Sequence, residues 1–539
     1  MGPMYRGSHV VEHVYQRTPC TGEEYSMIAT VLSGAILGLD AYVVEVEVDV
    51  ASRGLPRFSI VGLPEEAIRE SKDRVKTAIL NAGYRFPSRR ITVNLAPANR
   101  KKEGTAFDLP IALGILAATT GLGKDLMKRF LFVGELSLDG QVKSVRGALP
   151  LALSAYTMGL EGIVVPLPNA REAGVVTHIK IMSVQSLAMA VEFLSGNLIL
   201  PHHSVDITAL FETRVNSTLD LSDVKGQSLA KRAIEIAAAG GHNILFIGPP
   251  GSGKTMLARR IPTVLPPMTL EEALETTKIY SVAGQLPHDK PLLTQRPFRS
   301  PHHNVSDAGL IGGGAIPRPG EISLSHNGVL FLDELTEFRK NVLELLRQPL
   351  EEGELTIARS AVSLTFPARM MFIGAMNPCP CGYLGDPGHS CMCTPLQIQR
   401  YRSKLSGPLI DRIDLHVEVP RVPYKELALQ EADTVDSMRI QIRVCQARKI
   451  QQDRFHGQAI SCNAQMGSRD IHVHCQTGTE GMNLLERAVE GLGFSARAYS
   501  RILKVARSIA DLDGSPSLAT HHVAEAIQYR VLDRQIHPS

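Results

Sequence analysis

Residues 243–261, NILFIGPPGSGKTMLARRI, constrain this chain more than any other stretch. A short apolar run enters a glycine-rich turn, and the turn leads directly into a helix-forming segment. From Gly248 the spacing is G-x-x-x-x-G-K-[ST], through Pro249, Pro250, Gly251, Ser252, Gly253 and Lys254 to Thr255. Glycines here let backbone amides converge on phosphate oxygens. Lys254 can reach the β and γ oxygens, and Thr255 stands where a magnesium ligand is needed. Strand, spacing and helix agree, so ATP with Mg2+ is the expected cofactor and α/β the expected fold class.

Two later strands carry chemistry that suits such a loop. VLFLDEL ends in Asp333-Glu334, and an acidic pair at a strand tip beside a phosphate loop divides two tasks. Asp333 holds the magnesium, and Glu334 polarises the water that attacks the γ-phosphate. MMFIGAM ends next to Asn377, whose amide can orient that water. Taken alone, the first is a solvated acidic turn and the second a loop asparagine. Their order behind the phosphate loop favours the catalytic reading.

A length of 539 residues implies two or three domains with real cores. Residues 27–200 alternate strands such as YVVEVEVDV with helical stretches and read as an α/β domain. Residues 201–218 read as a linker, 219–430 as the nucleotide module with a cysteine-bearing insertion, 431–475 as a connecting helical region and 476–539 as a helical lid. Residues 1–26 are expected to be a disordered extension or an expression remnant. The longest apolar run, LPIALGILAATTGLG at 109–123, falls short of the roughly 20 residues a membrane span needs. No apolar signal segment opens the chain, so no membrane partner and a cytoplasmic location are expected. With a net charge of +3, any nucleic-acid contact must come from local patches.

Four of the eight cysteines fall in CPCGYLGDPGHSCMC, as Cys379, Cys381, Cys391 and Cys393. Two C-x-C pairs with glycine and proline between them can close into a tetrahedral thiolate cage, and Zn2+ is the expected ion. C-x-C is tighter than the usual C-x2-C, and His389 could replace one thiol.

The run from the phosphate loop through Asp-Glu, the asparagine, GPLIDRIDLHVEVP and FSARAYSRIL resembles AAA+ ATPases of the group holding magnesium-chelatase subunits and MCM helicases. More narrowly, ITVNLAPANRKKEGTAFDLPIALGILAA, PGEISLSHNGVLFLDEL and NPCPCGYLGD resemble the ComM/YifB family of bacterial competence proteins, across roughly residues 27–535. The resemblance implies a P-loop AAA+ α/β module with a C-terminal helical lid. It makes Arg412 the arginine finger serving a neighbouring subunit and Arg497 the sensor-2 arginine. As bare sequence, Arg412 reads as a surface ion pair. Arg359, between the β-prone runs LTIA and AVSLTF, resembles the basic tip of the channel hairpin of MCM helicases and is the expected DNA contact. The N-terminal domain resembles the Lon protease domain. Ala106 stands at the serine position and Pro150 at the lysine position, so the domain is expected to be non-catalytic. Its basic cluster, Arg89, Arg90, Arg100, Lys101 and Lys102, permits a grip on nucleic acid or is a solvated face.

The family implies a homohexameric ATP-driven helicase that promotes branch migration on single-stranded and branched DNA during natural transformation. A magnesium-chelatase-type remodelling ATPase acting on a protein partner is the alternative, and a Lon-like protease is disfavoured by Ala106 and Pro150.

Overall fold

A computed structural model describes residues 28–530, apart from 53–54, 213–217, 288, 315–316, 360–362, 424–435, 459 and 493. The N-terminal extension, parts of the expected linker and connecting region, the tip beyond Arg359 and the last nine residues therefore lie outside the described residues.

The N-terminal unit is built on a four-stranded sheet in the order Ile28–Leu37, Asp40–Val50, Arg90–Ala96, Arg57–Val61. Alternation creates its inner face: Val44, Val46, Val48 and Val50 are buried while Glu45 and Asp49 point outward. The helix Asp108–Thr120, apolar from Leu109 to Ala118, crosses that face. It comes so close at Gly114 that a β-carbon there would lie 2.5 Å from Val48. A parallel three-stranded sheet, Phe130–Phe132, Gly162–Pro166 and Lys180–Val184, completes the unit. The stretch expected to be a linker is partly packed against it. His202 and His203 bond Ile181 and Ser183, and the helix Ile207–Glu212 lays Ile207, Leu210 and Phe211 on the core.

The second unit is a five-stranded, wholly parallel sheet ordered Phe298–Arg299, Val329–Leu332, Met371–Met376, Ile244–Ile247, Leu415–Glu418. The three central strands are buried along their whole length, which is why they read as unbroken apolar runs. The C-terminal helices Ser437–Arg454, Thr479–Leu492, Ala496–Leu512 and Thr520–Gln528 share this unit's core, where Ile502, Ala506 and Ile509 join the same cluster as Phe246 and Leu257. The fold is thus mixed α/β followed by a helical region. The N-terminal core is continuous with the second unit through Met268, Ala273 and Leu292.

Candidate active site

The phosphate loop leaves the carboxyl end of the interior strand Ile244–Ile247, where parallel sheets place their ligand sites. Gly251 and Gly253 have φ of 75° and 96°, and a β-carbon at either would meet open space, so these glycines serve the turn and not a packing need. Lys254 is buried. Its ammonium donates to the carbonyls of Gly248 at 2.7 Å and Pro249 at 2.9 Å, and to Asn377 Oδ1 at 3.3 Å. Burial lowers its pKa to about 8, against the opposing pull of Asp333 and Glu334. Thr255 donates to Asp333 Oδ2 at 2.6 Å, so the two residues expected to hold magnesium already touch. Glu334 sits at φ 50°, a strained backbone for a residue with a β-carbon, and its side chain is largely exposed beside the loop.

Sequence reasoning missed two residues here. His303 places Nδ1 3.8 Å from Glu334 Oε2, with its ring edge-on to Phe338 and tilted against that of His302. Gln227 ties the loop to the next strand, donating to Ser252 O at 3.3 Å and Pro420 O at 2.6 Å. The pair His302-His303 and the polar GQS turn were visible in the sequence, but nothing there says what they face.

The four cysteines converge, with all sulfurs within 4.8 Å of one another. Cys379 lies 3.4 Å from Cys381 and 3.7 Å from Cys391, and Cys381 lies 3.6 Å from Cys391. A tetrahedron with arms of about 2.3 Å has edges of about 3.8 Å, so the set fits a zinc ion. Cys381 is held down to about 6, chiefly by the Tyr383 backbone amide. His389 does not replace a thiol: it bonds Asp386 at 3.1 Å and stacks on Tyr383. The cysteine loop braces the phosphate loop, since a β-carbon on Gly382 would sit 2.6 Å from Pro250 Cδ.

Arg412 and Arg497 are elsewhere. Leu415 pairs with Ile244 and Glu418 with Ile247, so Arg412, just before Leu415, lies at the opposite end of the sheet from the phosphate loop. Four residues of strand, about 13 Å, separate the two ends. Arg412 donates to Pro408 O at 2.7 Å and to Glu351, and Arg497 lies 3.8 Å from the same carboxylate. Beneath them burial would raise the Asp414 carboxyl, but Arg501 and then His242 hold it far below the usual range.

Arg359 is exposed at the end of the strand Glu354–Ala358, which pairs with Ser363–Pro367 as a hairpin. Its guanidinium lies against Gly313 of a second hairpin. In the N-terminal unit Ala106 lines a cavity of about 540 Å3 shared with Ser281, Lys290 and Arg318 of the second unit. Pro150 is buried in the helix Ala148–Thr157. Lys102 leaves the basic cluster: it is fully buried, with its ammonium on the carbonyls of Gly62 and Pro97.

Three family descriptions match in succession: "Subunit ChlI of Mg-chelatase" over residues 46–169, "Magnesium chelatase, subunit ChlI" over 220–427, and its C-terminal part over 434–530. The competence protein ComM of Haemophilus influenzae is 46% identical over 513 residues, covering 94% of this chain and 98% of that one. The uncharacterized protein YifB of Escherichia coli is 43% identical over 509 residues, with 94% and 98% covered. The magnesium-chelatase 38 kDa subunit of Rhodobacter capsulatus is 26% identical over 238 residues, 40% of this chain and 61% of that one.

Proposed function

The chain belongs to the ComM/YifB family of magnesium-chelatase-like proteins, and on that premise we propose that it is a homohexameric, ATP-driven DNA motor. It promotes branch migration while single-stranded DNA is integrated during natural transformation and homologous recombination. The observation that carries the reading is the division of its charged groups between two ends of one sheet. Lys254, Thr255, Asp333, Glu334 and Asn377 gather at one end, whereas Arg412 and Arg497 stand at the other. Arginines that cannot reach their own phosphate loop can serve a neighbour's in a ring.

In this reading Lys254 exchanges the carbonyls of Gly248 and Pro249 for phosphate oxygens, which frees Asn377 to orient water. Thr255 and Asp333 hold magnesium, which supplies charge neutralisation on the phosphates. Glu334 polarises the attacking water, and the neighbour's arginines stabilise the charge that develops. Cys379, Cys381, Cys391 and Cys393 hold one zinc, whose task is to stiffen the loop against Pro250. Arg359 follows the DNA backbone. Its hairpin runs through the buried Phe366 into the strand that ends at Met376, beside Asn377, a direct mechanical line from phosphate to DNA.

A cytoplasmic location and single-stranded and branched DNA as partners belong to the same reading. Among the described residues no helix is long and apolar enough to cross a membrane. The test is a labelled three-strand branch-migration assay. Arg359→Ala is expected to abolish migration and to reduce the salt slope of DNA binding by about one. Migration at the parental rate would remove Arg359 from the mechanism. A magnesium-chelatase-type remodelling ATPase is the second reading, favoured by three chelatase-subunit matches along the chain. ATP hydrolysis indifferent to DNA would favour it.

A further inference from the structure

Arg412 and Arg497 are 85 residues apart in sequence yet share one partner. Glu351, in the helix Arg347–Glu352, turns Oε2 to Arg412 and Oε1 to Arg497. The three side chains differ in exposure: 8% for Arg412, 48% for Glu351 and 56% for Arg497. Arg412 Nη1 is held by Pro408 O, and its Nε is buried without a partner. Among the described residues no other carboxylate pairs with either arginine. Without Glu351 two guanidinium groups would face each other with no intervening negative charge.

A ring motor places a second demand on these arginines. They must stay gathered when the neighbour holds ADP or nothing, and must turn to the neighbour when it holds ATP. A half-exposed carboxylate suits the first state because it competes with a γ-phosphate without outbidding it. We infer that Glu351 is a positioning residue: its carboxylate gathers Arg412 and Arg497 while the neighbouring site lacks a γ-phosphate, and yields them when one is present. This rests on the ring reading above. A fully buried carboxylate would hold the arginines too firmly to release them, and a lone surface arginine would have no defined resting place.

The mechanism makes nucleotide discrimination its signature. ADP lacks the group that competes with Glu351, so removing the carboxylate charge should favour ATP and leave ADP alone. In titrations of the assembled full-length protein, Glu351→Gln is expected to tighten a non-hydrolysable ATP analogue about fivefold, with ADP affinity changed by less than about twofold. Assembly in the presence of the analogue should move to lower protein concentration. Glu351→Asp keeps the charge on a shorter arm and should fall between the two. A merely structural ion pair would lower the thermal midpoint and leave the analogue-to-ADP ratio at its parental value, and that result overturns the proposal. Arg412→Ala keeps the two questions apart. If it stops hydrolysis while Glu351→Gln leaves the ratio unchanged, only the role of Glu351 falls. If Arg412→Ala hydrolyses at the parental rate, the ring reading falls as well.

Discussion

The two ends of the five-stranded sheet are finished to different degrees. At the carboxyl end Lys254 and Thr255 find partners within the chain: Thr255 bonds Asp333, Lys254 has three acceptors, and Gln227 and Gly382 brace the loop. At the amino end the foundation is equally firm, with Asp414 buried among Arg501, His242 and the Asn243 amide. What stands on that foundation is open, because Arg497 is more than half exposed and shares a single carboxylate with Arg412. The lesson is chemical. On the ring reading proposed above, one end holds a nucleotide and the other acts on a neighbour's, so a single copy does not do both for the same molecule.

Removing the open end alone tests this division of labour most directly. Arg412→Ala is expected to cost about 10³-fold in turnover or more, as arginine fingers do, with nucleotide binding to the subunit's own loop largely kept. Turnover per subunit measured under dilution, with light scattering following assembly, checks where the activity resides. Constant turnover through dissociation would place the whole reaction at one end.

A smaller effect probes the bracing of the closed end. Elemental analysis is expected to find about one zinc per chain, and Cys381→Ser to lose it. With the ion gone, the loop that carries Gly382 against Pro250 slackens, and nucleotide affinity should fall about tenfold. Equal affinity in the metal-free protein would make the cysteine loop a bystander to the phosphate loop.

Much of the closed end was legible in the sequence because its groups sit on short contiguous motifs. The run from Gly248 to Thr255, the pair Asp333-Glu334 and the two C-x-C pairs each carry their spacing with them. Contacts that depend on where distant segments meet were not legible. Glu351 and Arg412 are 61 residues apart, and nothing in LRQPLEEG marks which carboxylate will face an arginine. His303 and Gln227 were hidden for the same reason. Lys102 shows the reverse error: RKK reads as a basic surface, yet one of its three ammonium or guanidinium groups is taken inside by carbonyls of Gly62 and Pro97. In the expected linker, three apolar residues at helical spacing in 201–212 were too few to stand out from their polar neighbours, although they suffice to seat a short helix.

The finest perturbation uses pH, which acts on the closed end through Lys254. Burial has brought its amine from the usual lysine range to about 8. In the unliganded protein above that pH the amine is mostly neutral. Phosphate oxygens beside it favour the ammonium, so binding nucleotide must take up a proton there. Affinity should therefore fall as pH rises, about fivefold between pH 8 and 9 and steeper beyond. Folding carries the opposite sign. A lysine with a lowered pKa leaves the folded state with fewer protons than the unfolded one between about 8 and 10.4, so the same group makes the empty protein more stable as pH rises through that window. Calorimetry at pH 8.5 in buffers of different ionisation enthalpy reads the proton uptake directly. Lys254→Arg, which keeps its charge, should bind with no such uptake. A parental protein whose affinity stays flat from pH 7.5 to 9 would mean that the carbonyls of Gly248 and Pro249 already hold Lys254 fully protonated, and that the closed end is set for phosphate before any arrives.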